Sequence, residues 1–179
     1  MEILKPGSIK LDFLESIFRN KPKVSMDLSL KGKIEKSAKI VEASTKGSLP
    51  VYGVNTGFGK LANKIIPEED REQLQKNLVL SHCSGIGEPL PEDVTRLIMI
   101  LKMISLSFGA SGVKWSTINQ IEKIINSGII PEIPHQGSVG ASGDLAPLAH
   151  MAAVMIGEGW AFYNGEKLTG REALQKVKI

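Results

Sequence analysis

Cysteine is almost missing from this chain. One thiol, Cys83, in 179 residues excludes an internal disulfide framework and a cysteine-rich zinc site, and it fits a reducing compartment. Charge of one sign is also missing: 22 Lys and Arg stand against 19 Asp and Glu, a net charge of +3. The densest basic cluster, Lys31, Lys33, Lys36 and Lys39, alternates with apolar positions and reads as a solvated helix face, so a nucleic-acid surface is not expected. No apolar run is long enough for a bilayer, because the stretch from Leu97 to Val113 is broken by Lys102 and by several Ser and Gly. The first residues lack a basic segment followed by an apolar one, so no signal peptide is expected and the cytoplasm is the expected location. Repeats and low-complexity tracts are absent too. What remains is ordinary globular composition, 42% hydrophobic and 23% charged, with one domain over residues 1–179 as the simplest organisation.

The patterning is mostly helical. Leu11, Leu14, Ile17 and Phe18 predict a helix within 8–20, and Ile34, Ala38 and Val41 a weaker one over 32–46, with an extended segment at 23–30 between them. Pro67 and Pro91, each followed by acids, open two more helices. The second carries Leu97, Ile100, Leu101, Ile104 and Phe108 and is expected to be buried on most sides. Thr117 and Gln120 suggest a capping box for a helix whose inner face is Ile118, Ile121 and Ile125 and which Gly128 stops. A small-residue helix follows from about Leu145 to Ile156. Asn164-Gly165 predicts a tight hairpin between Trp160-Ala-Phe-Tyr163 and Glu-Lys-Leu168. A last helix runs from Arg171 to the final residue. Two Gly-rich loops, 47–59 and 129–144, interrupt the helices, and chemistry is expected there.

Two familiar patterns fail on context. Gly57-Phe-Gly59-Lys-Leu-Ala62 matches a dinucleotide fingerprint, but no acid stands near Asn77–Leu80, about twenty residues on, and no strand-helix alternation surrounds it. Gly140-Ala-Ser142-Gly143-Asp144 lacks the final Gly of a nucleophile elbow, and prolines precede it. His82, His135 and His150 show no metal-ligand spacing. For His135 and His150 a hydrogen-bonded structural role is the expectation.

Ala141-Ser142-Gly143 has a more specific chemistry. In a sharp turn the Gly143 nitrogen, unhindered by a side chain, can attack the Ala141 carbonyl carbon. Loss of water on ring closure, and a second loss from Ser142, gives a conjugated 4-methylidene-imidazol-5-one, an electrophile made from the chain itself. A helix starting near Leu145 turns its positive end toward it.

The wider string Gly137-Ser-Val-Gly-Ala-Ser-Gly-Asp-Leu-Ala-Pro-Leu-Ala-His150 resembles the signature of the aromatic amino acid ammonia-lyases. Val51-Tyr-Gly-Val-Asn-Thr-Gly-Phe-Gly59 is similar to the family's tyrosine loop, and Asn77-Leu-Val-Leu-Ser-His-Cys-Ser-Gly-Ile-Gly-Glu-Pro-Leu90 to its substrate-selecting block. The three blocks stand in the family's order. The resemblance implies a mainly α chain, the N-terminal helical portion of the ammonia-lyase and fumarase-like all-α fold, with Gly-rich active-site loops and a small hairpin. It also implies that residues 1–179 are the electrophile-bearing part of a much longer protein, with the C-terminal helical part absent.

By that resemblance Ala141, Ser142 and Gly143 form the electrophile and no external cofactor or metal is needed. Tyr52 matches the base that removes a β-proton. A tyrosine has an ordinary pKa of about 10, so nearby donors are required, and the loop amides are the expected source. His82 matches the residue that contacts the substrate ring. It shares a helix face with Leu74 and Leu78, which fits both a pocket and a core histidine. Asn55 and Gly59 are supporting positions. Asp144 either orients the triplet or caps the next helix, and Cys83 reads as a small buried hydrophobe.

Ser81-His82 resembles the histidine-specific branch. The implied reaction is elimination of ammonia from L-histidine to give urocanate, in a homotetramer whose sites are shared between subunits. The alternatives are a tyrosine or phenylalanine lyase or an aminomutase of the same family, or a truncated fragment that binds a partner without chemistry. No nucleic-acid or membrane partner is expected.

Overall fold

The computed structural model describes residues 1–47, 49–140 and 145–179. Helices α1 (Leu11–Asn20), α2 (Lys31–Thr45), α4 (Glu92–Leu106) and α5 (Trp115–Ser127) surround one apolar core, while α3 (Glu68–His82) packs instead against α6 (Leu145–Met155). The predicted inner face of α5 is correct, with Ile118, Ile121 and Ile125 joined by Ile124, all nearly inaccessible. Each such aliphatic side chain contributes about 1.5–3 kcal/mol through burial. Gly128 ends α5 in the left-handed region at φ 82°, as expected for a C-terminal glycine.

The expected face of α4 is shifted. Met99, Ile100, Met103 and Leu106 point inward with Thr95 and Arg96, whereas Leu101 and Phe108 are exposed. The helix is apolar nearly all round, so its composition does not single out the face that meets α1 and α5. Arg96 accounts for part of the choice. Its guanidinium donates to the carbonyls of Ile17 and Pro22 and so closes the end of α1. Leu11, expected to face inward on α1, is exposed, and Ile17 is the residue of that helix in the core.

The capping box expected at Thr117 and Gln120 does not form. The first amide of α5, at Trp115, donates to the Glu35 carboxylate of α2 at 3.0 Å, and Gln120 donates to the Met155 carbonyl at 2.7 Å. A side chain 80 residues away thus replaces the local cap.

Three small sheets complete the described residues. β1 (Glu2–Leu4) lies parallel to β2 (Val24–Met26), with Ile3 opposite Ser25. The outer edge of β2 is closed by α5: Val24 N–H donates to Asn126 Oδ1 at 2.9 Å, and Met26 N–H donates to Glu122 Oε2 at 2.7 Å. The segment 129–144 is not simply a loop. β4 (Ile130–Pro131) and β5 (Pro134–Gln136) run through it, β5 antiparallel to β3 (Ile86–Pro89). β4 pairs with β6 (Trp160–Tyr163), which pairs with β7 (Glu166–Thr169). Asn164 and Gly165 turn the β6–β7 hairpin at φ 52° and 79°, as predicted. The last helix, α7 (Gly170–Lys176), opens on a capping box between Thr169 and Glu172 and stops before the final residue, where Ile179 N–H donates back to the Leu174 carbonyl at 3.1 Å. Among the described residues no helix is long and apolar enough to cross a membrane.

Candidate active site

The tyrosine loop is built around Asn55. Its side chain is wholly buried: Oδ1 accepts from Val51 N–H at 2.7 Å, and Nδ2 donates to the Leu49 carbonyl at 2.9 Å. The Asn55 carbonyl accepts from Ile66 N–H at 2.9 Å, which closes the far side of the loop. Tyr52 stands on this frame with 63% of its surface exposed, its ring edge-on to Phe58 at 5.7 Å. Gly53 is at φ 71°, and a Cβ there would lie 3.3 Å from the Phe58 ring, so glycine is needed for that contact.

The expectation that loop amides serve the Tyr52 hydroxyl is not met. Val51 and Gly53 amides go to Asn55 and Thr56 side chains, Val54 and Asn55 amides to the Val51 carbonyl, and Gly57 to Lys64. The loop spends its donors on its own shape, and the Tyr52 hydroxyl has no hydrogen-bond partner among the described residues. Gly59 turns at φ 55° into a short 3-10 turn, Gly59–Leu61.

His82 is the last residue of α3. Its Nδ1 lies 2.8 Å from the Leu78 carbonyl, one turn back, and 3.3 Å from Ser81 Oγ. A carbonyl only accepts, so Nδ1 carries a proton, and in the neutral ring Nε2 is then the acceptor. The helix around it is half-exposed rather than core, with no fully buried residue. Cys83 follows, its thiol donating to the Val79 carbonyl at 3.3 Å, and burial pushes the thiol pKa up, so it stays protonated. The expectation of a small buried hydrophobe is met only in part, since Cys83 is half-buried.

The second and third sequence blocks meet at glycine. Gly85 N–H donates to His150 Nε2 at 3.1 Å, and a Cβ on Gly137 would lie 3.1 Å from the Gly85 Cα. Gly140, at φ 55°, and Leu145, the first residue of α6, bracket Ala141, Ser142, Gly143 and Asp144, which lie outside the described residues. His150 and His135 are both hydrogen-bonded, the latter through Nδ1 to the Glu88 carbonyl at 2.9 Å, in line with the structural role expected of them. A cavity of about 240 Å³ opens beside His150, between Leu80, Cys83, Glu132, Pro134 and Trp160. Lys167 bridges two of its walls, 2.6 Å from Glu132 Oε2 and 5.3 Å from the Trp160 ring. Only the Lys167 and Trp160 positions on adjacent strands hint at this in sequence.

The sequence model of the aromatic amino acid lyase family matches residues 9–179. The chain is similar over its full length to a phenylalanine aminomutase from Pantoea agglomerans, at 31% identity and a TM-score of 0.92, covering 34% of that chain. It is also similar over its full length to a histidine ammonia-lyase from Trypanosoma cruzi, at 31% identity and a TM-score of 0.90, again covering 34% of that chain. Ergothionase from Treponema denticola shares 27% identity over 99% of this chain and 36% of its own, with a TM-score of 0.93. The chain therefore spans about a third of the length of these relatives. With the match running across nearly every residue and the mainly α architecture shared, the chain belongs to the aromatic amino acid lyase family.

Proposed function

We propose that this chain is the electrophile-bearing part of a histidine ammonia-lyase, which eliminates ammonia from L-histidine to give urocanate. The observation that carries the choice of histidine is the hydrogen bond from His82 Nδ1 to the Leu78 carbonyl. In the neutral ring that bond makes Nε2 an acceptor at the end of α3, matched to the N–H of a substrate imidazole. Phenylalanine offers such an acceptor nothing. A tyrosine hydroxyl would satisfy it, and identity to the phenylalanine aminomutase equals that to the histidine lyase. A tyrosine lyase or an aminomutase is therefore the second reading.

The residues fit a methylidene-imidazolone. Ala141, Ser142 and Gly143 supply a carbonyl carbon, a hydroxyl to lose and an unhindered amide nitrogen, between a left-handed glycine at 140 and the start of α6. When formed, that group supplies an electrophile. Within the same reading, Asp144 holds the triplet or caps α6, Tyr52 takes the β-proton, Asn55 and Gly59 shape the loop that presents it, and His82 grips the substrate ring. The 63% exposure of Tyr52 supports a site completed by further chain or by other subunits, as in a homotetramer. The substrate carboxylate would be held by residues outside this third of the protein.

The test has two parts. Intact mass of the purified protein should fall short of the encoded mass by two waters, about 36 Da, and Ser142→Ala should carry the full mass. In the protein with a complete site, a substrate panel should favour histidine, and His82→Leu should shift the ratio toward phenylalanine. Full turnover by Ser142→Ala, or an unchanged ratio in His82→Leu, would overturn the reading.

A further inference from the structure

Three segments converge on Gly85. The turn after α3 brings its N–H to His150 Nε2 at 3.1 Å, across 65 residues of sequence. A Cβ at Gly85 would lie 3.0 Å from that nitrogen and 3.2 Å from the Pro134 ring, and a Cβ at Gly137 would lie 3.1 Å from the Gly85 Cα and 3.3 Å from Ala146. The turn after α3, the strand leading to residues 137–140 and the first turns of α6 are therefore in close contact, with the His150 imidazole seated on Gly85.

The bond at the centre fixes the chemistry of the ring. A backbone amide only donates, so Nε2 holds its lone pair, the proton sits on Nδ1 and the imidazole is neutral. A second proton would set N–H against N–H and open the contact. We propose that His150 is a positioning residue: neutral, it clamps the Cys83–Gly85 turn to α6 and so fixes His82 relative to the helix that follows the Ala141-Ser142-Gly143 triplet; protonated, it lets that turn go. Its functional meaning rests on the lyase reading above.

The surroundings keep the clamp closed at neutral pH. Burial holds the His150 pKa below the usual histidine value. The Glu132 carboxylate, from the β4–β5 connection, pulls the other way. Its charge is engaged by Lys167 of β7 at 2.6 Å, which weakens that pull. Cys83, at the end of α3, faces the same cavity as a neutral thiol, and Trp160 of β6 adds no charge.

The experiment is NMR on the ¹⁵N-labelled chain, read at the Gly85 amide and at the imidazoles of His82 and His150 between about pH 8 and about pH 5. In the unmodified sequence the Gly85 protection factor should drop as His150 takes its proton, and the His82 signals should shift with the same midpoint. His150→Leu should lower Gly85 protection about tenfold above the His150 midpoint and show no pH step. His150→Gln, which returns an acceptor at similar reach, should keep the protection and remove the pH step. A merely packed histidine would not pass its titration on to His82.

Equal Gly85 protection in His150→Leu and the unmodified chain, or a His82 signal blind to the His150 titration, would overturn the proposal. The unmodified chain alone decides the second point if a variant fails to fold. The lyase reading is judged separately, on mass and substrate: a protein that never loses two waters refutes that reading while the Gly85 measurement still stands.

Discussion

Val51 and Asn55 form a closed ring of contacts: the Val51 N–H donates to Asn55 Oδ1 at 2.7 Å, and the Asn55 N–H donates back to the Val51 carbonyl at 3.2 Å. Tyr52 is the first residue inside that ring. Its position therefore depends on a neighbour whose side chain is wholly buried. Asn55→Ala should cost about 1–3 kcal/mol, the penalty for stranding buried partners. Denaturant melts measure the loss, and hydrogen exchange at Val51 should rise with it. A melt unchanged from the parent would mean that the loop is held by something other than Asn55.

Tyr52 itself should behave oppositely. Its hydroxyl touches no described group and its ring is largely in solvent, so Tyr52→Phe should leave stability within about 0.5 kcal/mol. In the protein with a complete site, turnover should fall by roughly 10²–10⁴-fold, the range for a lost general base. Retained turnover would remove Tyr52 from the reaction.

Stability should decline in acid for reasons that lie away from the site. The Glu172 carboxylate is held below its usual pKa by its hydrogen bonds to Thr169, and Glu158 by Lys76, 2.7 Å away. A depressed carboxylate stabilises the fold above its unfolded pKa of about 4.5 and loses that contribution as pH falls through the lower, folded value. Thermal midpoints should drop over that window, and Glu172→Gln should flatten the drop. An equally steep decline in that variant would place the acid sensitivity elsewhere.

The isolated 179-residue chain should give no urocanate and should self-associate. It spans about a third of its relatives' length; under the proposed reading the groups that hold the substrate carboxylate lie outside it, and orientation supplies a large part of any barrier reduction. Leu101 on α4 and Phe108 just after it leave apolar surface in solvent. Urocanate absorbance and size-exclusion chromatography report on both. Clear product from a monodisperse monomer would contradict this.

Local chemistry explains which features were legible in the sequence. The β6–β7 hairpin could be read because Asn164 and Gly165 supply both left-handed residues themselves. The openings at Pro67 and Pro91 and the stop at Gly128 are equally local. The β1–β2 pair could not be read, since Glu2-Ile-Leu4 has no pattern of its own and gains strand character only when Val24–Met26 lies beside it. The cap of α5 is not legible locally because Glu35 reaches it from another helix. The same division runs through the site. Tyr52, His82 and the triplet stood out as strings. For His150 the sequence offers only a hydrogen-bonded structural role and no partner, because Gly85 is distant in sequence and offers only a backbone amide.

The glycine contact between residues 85 and 137 also limits redesign. A library meant to redirect substrate choice can vary His82 and Cys83, which are half-buried at the end of α3. It has no room at Gly85 or Gly137, where any added carbon meets backbone or ring atoms at about 3 Å. Diversifying all four positions together would fill the screen with misfolded clones and mask whatever new specificity His82 can encode.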